Sequence, residues 1–240
     1  MAVRVTKETQ PRVVLKGANS GSVNSGVLSG SGDGVRVSMT FTATAEPLIV
    51  IPYGNVAEAQ LEAGSFPTSY IPTSGSQQTR SADIASIPVS AFGYNQDAGT
   101  VVVEFDLVGF SPDGPTGYPR VWAVDQANGK YIAVHSNSAG DVALRENESG
   151  EVLNFSTGPL TKNTMAVMAA TFADDDLATS LDGATALTAT PSYTLDLPTT
   201  LAIGSVVGVA DGGRHLNGHI KSLRYYPRRL TNTQLQELTA

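Results

Sequence analysis

Thr100–Val108 reads TVVVEFDLV, and its alternation decides the architecture. Successive side chains of an extended chain point to opposite sides. Val101, Val103, Phe105 and Leu107 therefore share one face, and Val102, Glu104, Asp106 and Val108 the other. Outward from this strand the same rhythm repeats. Arg120–Asp125 and Tyr131–Ser136 flank the hairpin signal Gln126–Gly129. Asp141–Glu146 and Glu151–Phe155 are split at Ser149-Gly150, and Met165–Phe172 and Leu177–Leu181 at Asp174–Asp176. Thr200–Val209 and His219–Tyr226 complete the set. Many short strands separated by Gly, Pro, Asn and Asp turns point to an antiparallel all-β sandwich. The tail differs. Thr231 followed three residues later by Gln234 is a capping box, and Leu235 and Leu238 share a helical face, so residues 231–240 form one short helix.

Upstream the pattern is more broken. Val3–Val5, Arg12–Leu15, Leu48–Ile51 and Asn55–Leu61 are short strand candidates, and Val35–Ala45 alternates over its whole length. Gly17–Gly34 is rich in Gly, Ser and Asn and reads as a loop. Ser65–Asp83 holds Pro67 and Pro72 with few core residues and reads as an extended linker. The expected organisation is a β-rich segment over 1–64, a linker over 65–84 and a β-sandwich over 85–240.

Composition narrows the class. With 41% hydrophobic and 15% charged residues, the 240-residue chain has material for a core and too little charge for a disordered polymer. There is no Cys, which excludes disulfides and thiolate metal sites and fits assembly in a reducing compartment. No apolar stretch reaches the roughly 18 residues of a membrane-spanning helix, and MAVRVTKETQ lacks the apolar centre of a signal peptide. A net charge of -7 speaks against nucleic acid as a partner, because phosphate-backbone binding needs clustered Lys and Arg. The one basic cluster, Lys221, Arg224, Arg228 and Arg229, reads as a solvated face.

Glycan binding needs aromatic faces for sugar C–H groups and polar neighbours for the hydroxyls. Tyr118, Trp122, Tyr131, His135 and Arg145 from neighbouring hairpins form the candidate ligand-binding set, although Val121 and Ala123 beside Trp122 leave a core position open for it. Asp174 and Asp176, with Asp211 from another loop, are the candidate Ca²⁺ ligands, against a solvated acidic turn. No other cofactor is expected. His135, His215 and His219 have no metal-ligand spacing, and there is neither a nucleophile elbow nor a phosphate loop.

Residues Ala59–Asp83, AQLEAGSFPTSYIPTSGSQQTRSAD, carry a more specific signal. This run closely resembles a junction of bacteriophage virion proteins that follows a carbohydrate-binding-type β-sandwich and precedes a laminin-G-like (concanavalin A-like) one. The matching positions are Ala59, Gln60, Leu61, Glu62, Gly64, Thr68, Ser69, Tyr70, Ile71, Pro72, Thr73, Gly75, Ser76, Thr79, Arg80, Ala82 and Asp83. Downstream, Ser180–Gly183, Leu201–Gly204 and Gly218–Thr231 match the laminin-G-like pattern in order and spacing. The resemblance implies an antiparallel jelly-roll sandwich with a short C-terminal helix, preceded by a smaller β-rich anchoring and oligomerisation segment. It also implies a virion structural protein, assembled in the bacterial cytoplasm as tail fibre or capsid decoration. The expected partners are other virion proteins, copies of itself in a homotrimer, and cell-surface glycans. The upstream sandwich of the pattern is much shortened here, so residues 1–64 are expected to finish their core against another chain.

Two other functions compete with glycan display. One is a capsid cement that binds no sugar. The other is a glycan depolymerase. Laminarinase-type glycosidases place paired acids on one strand face, as Glu104 and Asp106 are placed here. The final acid of that motif is missing at Val108 and Gly109, so no proton donor is in position, and the chain is not expected to be an enzyme.

Overall fold

A computed structural model describes residues 2–5, 12–17, 27–29, 35–39, 48–53, 56–63, 68, 70–79, 83–109, 118–126, 131–137, 140–146, 152–155, 160–191, 198–205 and 214–240. The chain divides into two compact units, Met1–Arg80 and Ser81–Ala240.

The first unit has six described strands: β1 (Ala2–Val5), β2 (Arg12–Gly17), β3 (Val27–Ser29), β4 (Val35–Ser38), β5 (Leu48–Tyr53) and β6 (Val56–Gln60). They pair as two three-stranded antiparallel sheets, β4-β1-β6 and β3-β2-β5. Strand β3 lies inside the Gly/Ser-rich stretch expected to be a loop. Three residues pairing with β2 suffice, because Val27 and Leu28 meet Val14 and Val13 across the ladder. Residues 40–45, the second half of the expected strand at Val35–Ala45, lie outside the described residues. Just beyond β6, Glu62 accepts from the Thr68 amide at 2.7 Å and Gln60 accepts from the Ile71 amide at 2.7 Å. These side chains supply acceptors to backbone that joins no sheet.

The second unit is an antiparallel jelly-roll β-sandwich. Its strands are β7 (Ala85–Pro88), β8 (Ala98–Leu107), β9 (Arg120–Gln126), β10 (Tyr131–Ser136), β11 (Val142–Glu146), β12 (Val152–Phe155), β13 (Ala166–Ala173), β14 (Asp176–Leu181), β15 (Leu187–Ala189), β16 (Pro198–Ile203) and β17 (Gly218–Tyr226). One sheet has the order β12-β11-β10-β9-β16-β7, the other β15-β14-β13-β8-β17. Strands β7 and β15, of four and three residues, are too short to show alternation in the sequence. Strand β16 ends at Ile203, where Gly204 takes a left-handed turn (φ 68); residues 206–209 of the expected strand Thr200–Val209 lie outside the described residues.

The core lies between the two sheets. Val101, Val103, Phe105 and Leu107 of β8, the face read from the sequence, pack with Met168, Phe172 and Leu177 and, from the other sheet, Trp122, Val124, Ile132, Val134 and Leu144. Each such side chain contributes roughly 1.5–3 kcal/mol on burial. The opposite face of β8 is covered in part: Val102, Ala169 and Ala178 pack under Leu230 and Leu235. Leu235 belongs to helix α1 (Asn232–Thr239), whose capping box forms as expected, with the Thr231 amide donating to Gln234 Oε1 at 2.9 Å. Tyr225 joins the core between the sheets while Tyr226 packs on the α1 side, as strand alternation requires.

Candidate functional site

The six-stranded sheet presents its second face away from the core, and this face is built unusually. Arg145, Ala133, Ala123, Ala202 and Ser86 form one row across β11, β10, β9, β16 and β7. Ala123, Ala133 and Ala202 are fully buried there as a separate small cluster with Tyr131 beside them. Methyl groups make a low floor, so longer side chains from the neighbouring rows can lie over it.

Those longer side chains are Arg120, Tyr131, His135 and Arg145, joined by Tyr118 just ahead of β9. Arg120 runs from the His135 row towards the Tyr131 row. Its Nη2 donates to the Tyr131 hydroxyl at 2.6 Å, and its guanidinium carbon lies 4.5 Å from the centroid of that ring. The Tyr118 ring meets His135 edge-on at 5.0 Å, and the Arg145 guanidinium approaches the same ring at 5.9 Å. The Arg120 amide donates to the Arg214 carbonyl at 2.9 Å, which brings Arg214 to the cluster as well. Tyr118 is 44% exposed, whereas Arg120 is 1% exposed.

Electrostatics here run against the cations. Burial lowers the Arg120 pKa from its ordinary value, Arg214 and Arg145 push the same way, and the Tyr131 contact opposes them. Burial, with Arg120 adding to it, pushes His135 down to about 3, so its imidazole is neutral at physiological pH. Among the described residues, Nε and Nη1 of Arg120, Nε of Arg145 and Nε2 of His135 are buried without a hydrogen-bond partner. A buried donor left without an acceptor costs on the order of 1–3 kcal/mol, and more when charged. The arrangement places one exposed aromatic ring, Tyr118, beside buried Arg120 and His135, with Tyr131 and Arg145 half-buried at their side.

Of the sequence-derived ligand set, the structure brings together Tyr118, Tyr131, His135 and Arg145. Trp122 must be corrected. It is fully buried in the core between the sheets, on the other face of β9. Plain alternation puts it there, since Val124 two residues on and the paired Val134 also enter the core. Arg120 is governed by a register shift between β9 and β10: Val134 pairs with Trp122, but His135 pairs with Arg120. Val121 is the extra residue of this bulge, so Val121 and Trp122 both enter the core and Arg120 emerges on the outer face. Strict alternation would have put Arg120 inward with Trp122. Arg120 was thus missed, and the signal that marks it is the adjacent apolar pair Val121-Trp122 directly after a charged residue.

The other candidate groups lie elsewhere. Asp176 accepts from Arg229 Nε and Nη2, both at 2.9 Å, while Asp174 and Asp175 are exposed in the β13–β14 turn. Asp211 lies outside the described residues. No three His, Asp or Glu side chains gather as metal ligands among the described residues. Glu104 accepts from Lys221 at 2.6 Å, and the Asp106 oxygens lie 2.9 and 3.2 Å from His219 Nδ1. Both acids sit on the five-stranded sheet, away from the arginine cluster.

Comparison with solved structures finds lectin-like jelly rolls. The CBM40 module of Ruminococcus gnavus IT-sialidase, solved bound to alpha2,6 sialyllactose, matches with a TM-score of 0.51 at 11% identity over 68% of this chain and 96% of that one. A heptameric SAP-like pentraxin from Limulus polyphemus matches with a TM-score of 0.47 at 14% identity, over 60% and 70% of the two chains. Domains LG4-5 of the mouse laminin alpha1 chain match at 0.47 and 10% identity, over 63% and 41%. At these identities the likeness concerns the fold. No protein-family model matches the chain. No curated protein matches it.

Proposed function

We propose that the chain is a non-enzymatic, lectin-like structural module that binds glycans on the outer face of the six-stranded sheet. The observation that carries this reading is the convergence of Tyr118, Tyr131, His135 and Arg145 with Arg120 over the alanine floor. The exposed Tyr118 ring, with the half-buried Arg145 and Tyr131 near it, suits a sugar ring with its hydroxyls. The CBM40 likeness supports the choice of fold for such a task. The junction at Ala59–Asp83 supports display on a phage virion, as tail fibre or capsid decoration, with residues 1–64 as anchor to other virion proteins and as the seat of a trimer. Several weak sites on one assembly would then add up to firm attachment.

The test is a glycan array probed with the full chain and with Tyr118→Ala. Retention of a defined set of glycans by the parent, lost in the variant, is the expected result. If no glycan is held even when the protein is multimerised on beads, the reading fails and a protein-binding cement takes its place.

A further inference from the structure

Past the end of β6 the chain keeps its alternation. Glu58, Gln60 and Glu62 are half-buried and share one side, while Ala59, Leu61 and Ala63 are exposed on the other. The polar side meets a segment that returns from six to eleven residues downstream. Glu62 Oε1 accepts from the Thr68 amide at 2.7 Å, and its Oε2 accepts from the Thr68 hydroxyl. Gln60 Oε1 accepts from the Ile71 amide at 2.7 Å, and Gln60 Nε2 donates to the same Thr68 hydroxyl at 3.2 Å. Glu62 thus meets the earlier residue of the returning segment, and Gln60 reaches on to the later one, so the chain doubles back along the strand end.

The Thr68 hydroxyl joins the two halves. It accepts from Gln60 and donates to Glu62, so one group orients both side chains. Hydrogen bonds linked in this way strengthen one another. Each lies at or near the surface, where water competes and a single bond contributes little. Together they hold two residues of the returning chain. Exposure changes where these contacts stop: Ile71 is half-buried, and residues 72–79 are exposed throughout. We infer that Gln60, Glu62 and Thr68 form a strap that fastens the chain, as far as Ile71, onto the first unit. The free connector then starts at Pro72 rather than at the end of β6. The strap also gives a physical reason for the spacing of Gln60, Glu62, Thr68 and Ile71 within the junction run. Opening it lengthens the tether that carries the second unit, and tether length sets the effective concentration of whatever that unit binds. The inference concerns the first unit and stands apart from the glycan-binding reading.

Amide hydrogen exchange on the full chain, followed by NMR, tests this. In the parent, the Thr68 and Ile71 amides are expected to exchange about tenfold or more slowly than in a free peptide, and the Gln77 amide close to the free rate. Glu62→Ala and Thr68→Val are each expected to speed exchange at Ile71, whose amide is bonded to Gln60, by about threefold or more. That is the lower end of coupling within one hydrogen-bond network. The amides of β1 report whether the first unit stays folded. Thr68→Val alters an exposed side chain outside the strands, so it reads the strap even if Glu62→Ala unfolds the unit. Free-rate exchange at Thr68 and Ile71 in the parent overturns the strap. An Ile71 amide unmoved by Thr68→Val overturns it as well, since the contacts are then two separate turns.

Discussion

Arg120 is held by Tyr131 in two ways at once: its Nη2 donates to the phenolic oxygen at 2.6 Å, and its guanidinium carbon sits 4.5 Å from the centre of the same ring. One aromatic side chain thus supplies both the acceptor and the π face for a cation that is otherwise shut away from water. Tyr131→Phe separates the two contributions, since it keeps the ring and deletes the oxygen. The variant should lose about 1.5–3 kcal/mol of stability, the range for a hydrogen bond to a charged group. Chemical denaturation of parent and variant measures it. Equal stability would mean that the guanidinium does not depend on this acceptor.

Trp122 and Tyr118 should separate structure from binding. Trp122→Ala empties a fully buried position in the core and should cost about 3–5 kcal/mol. Tyr118→Ala removes a ring that is 44% exposed, so its effect on stability should stay under about 1 kcal/mol while glycan retention is lost. A stable Trp122→Ala protein that no longer binds glycan would reverse the assignment of the two residues.

The imidazole of His135 makes stability depend on pH in a defined window. Burial, then the charge of Arg120 and, further down, Arg145, holds it at about 3 against an ordinary 6.5, with the Ser136 carbonyl opposing them. Below pH 6.5 the unfolded chain takes up a proton that the folded one refuses until about pH 3, so folding weakens as pH falls through this range and is unaffected by the group above it. The slope from this one group approaches about 1.4 kcal/mol per pH unit. Urea denaturation from pH 7.5 down to 4.5 should show a shallower decline for His135→Gln than for the parent. Identical slopes would remove His135 as the cause.

Gly218 is a steric requirement of the β8–β17 pairing. A Cβ there would fall 1.9 Å from the Asp106 carbonyl oxygen, and Gly218 pairs directly with Leu107. Backbone cannot move aside as a flexible side chain would. Gly218→Ala should therefore cost about 1–3 kcal/mol or more, read as a fall in Tm. An unchanged Tm would show that the ladder gives way at this edge strand.

Calcium should not matter for stability. Asp176 already engages Arg229 through both oxygens, and Asp174 and Asp175 stand exposed beside it. Melting in excess Ca²⁺ and in EGTA should give the same Tm. A rise with Ca²⁺ would place an ion at this turn, with Asp211 as a candidate further ligand.

Much of the sandwich was legible wherever a strand is long enough to repeat its period. Val101, Val103, Phe105 and Leu107 reached the core because alternation is a local property of extended backbone, and Thr231 capped Gln234 because a capping box spans only four residues. Strands β3, β7 and β15 were not legible, because each has a partner strand distant from it in sequence or lies among turn-forming residues, and pairing with that partner is what makes it a strand.

The candidate site divides along the same line. Chemistry alone pointed to Tyr118, Tyr131, His135 and Arg145 as residues able to hold a sugar, but their meeting on one face depends on the register of β9, β10 and β11. The arrival of Arg120 on that face was decided by a single extra residue, Val121, whereas Trp122 faces the core by alternation with Val124. A bulge reverses every side chain on one side of it, and it forms in response to the neighbouring strand. The sequence by itself determined which residues have the right chemistry and which strands alternate; only tertiary pairing decided which side of the sheet each side chain faces.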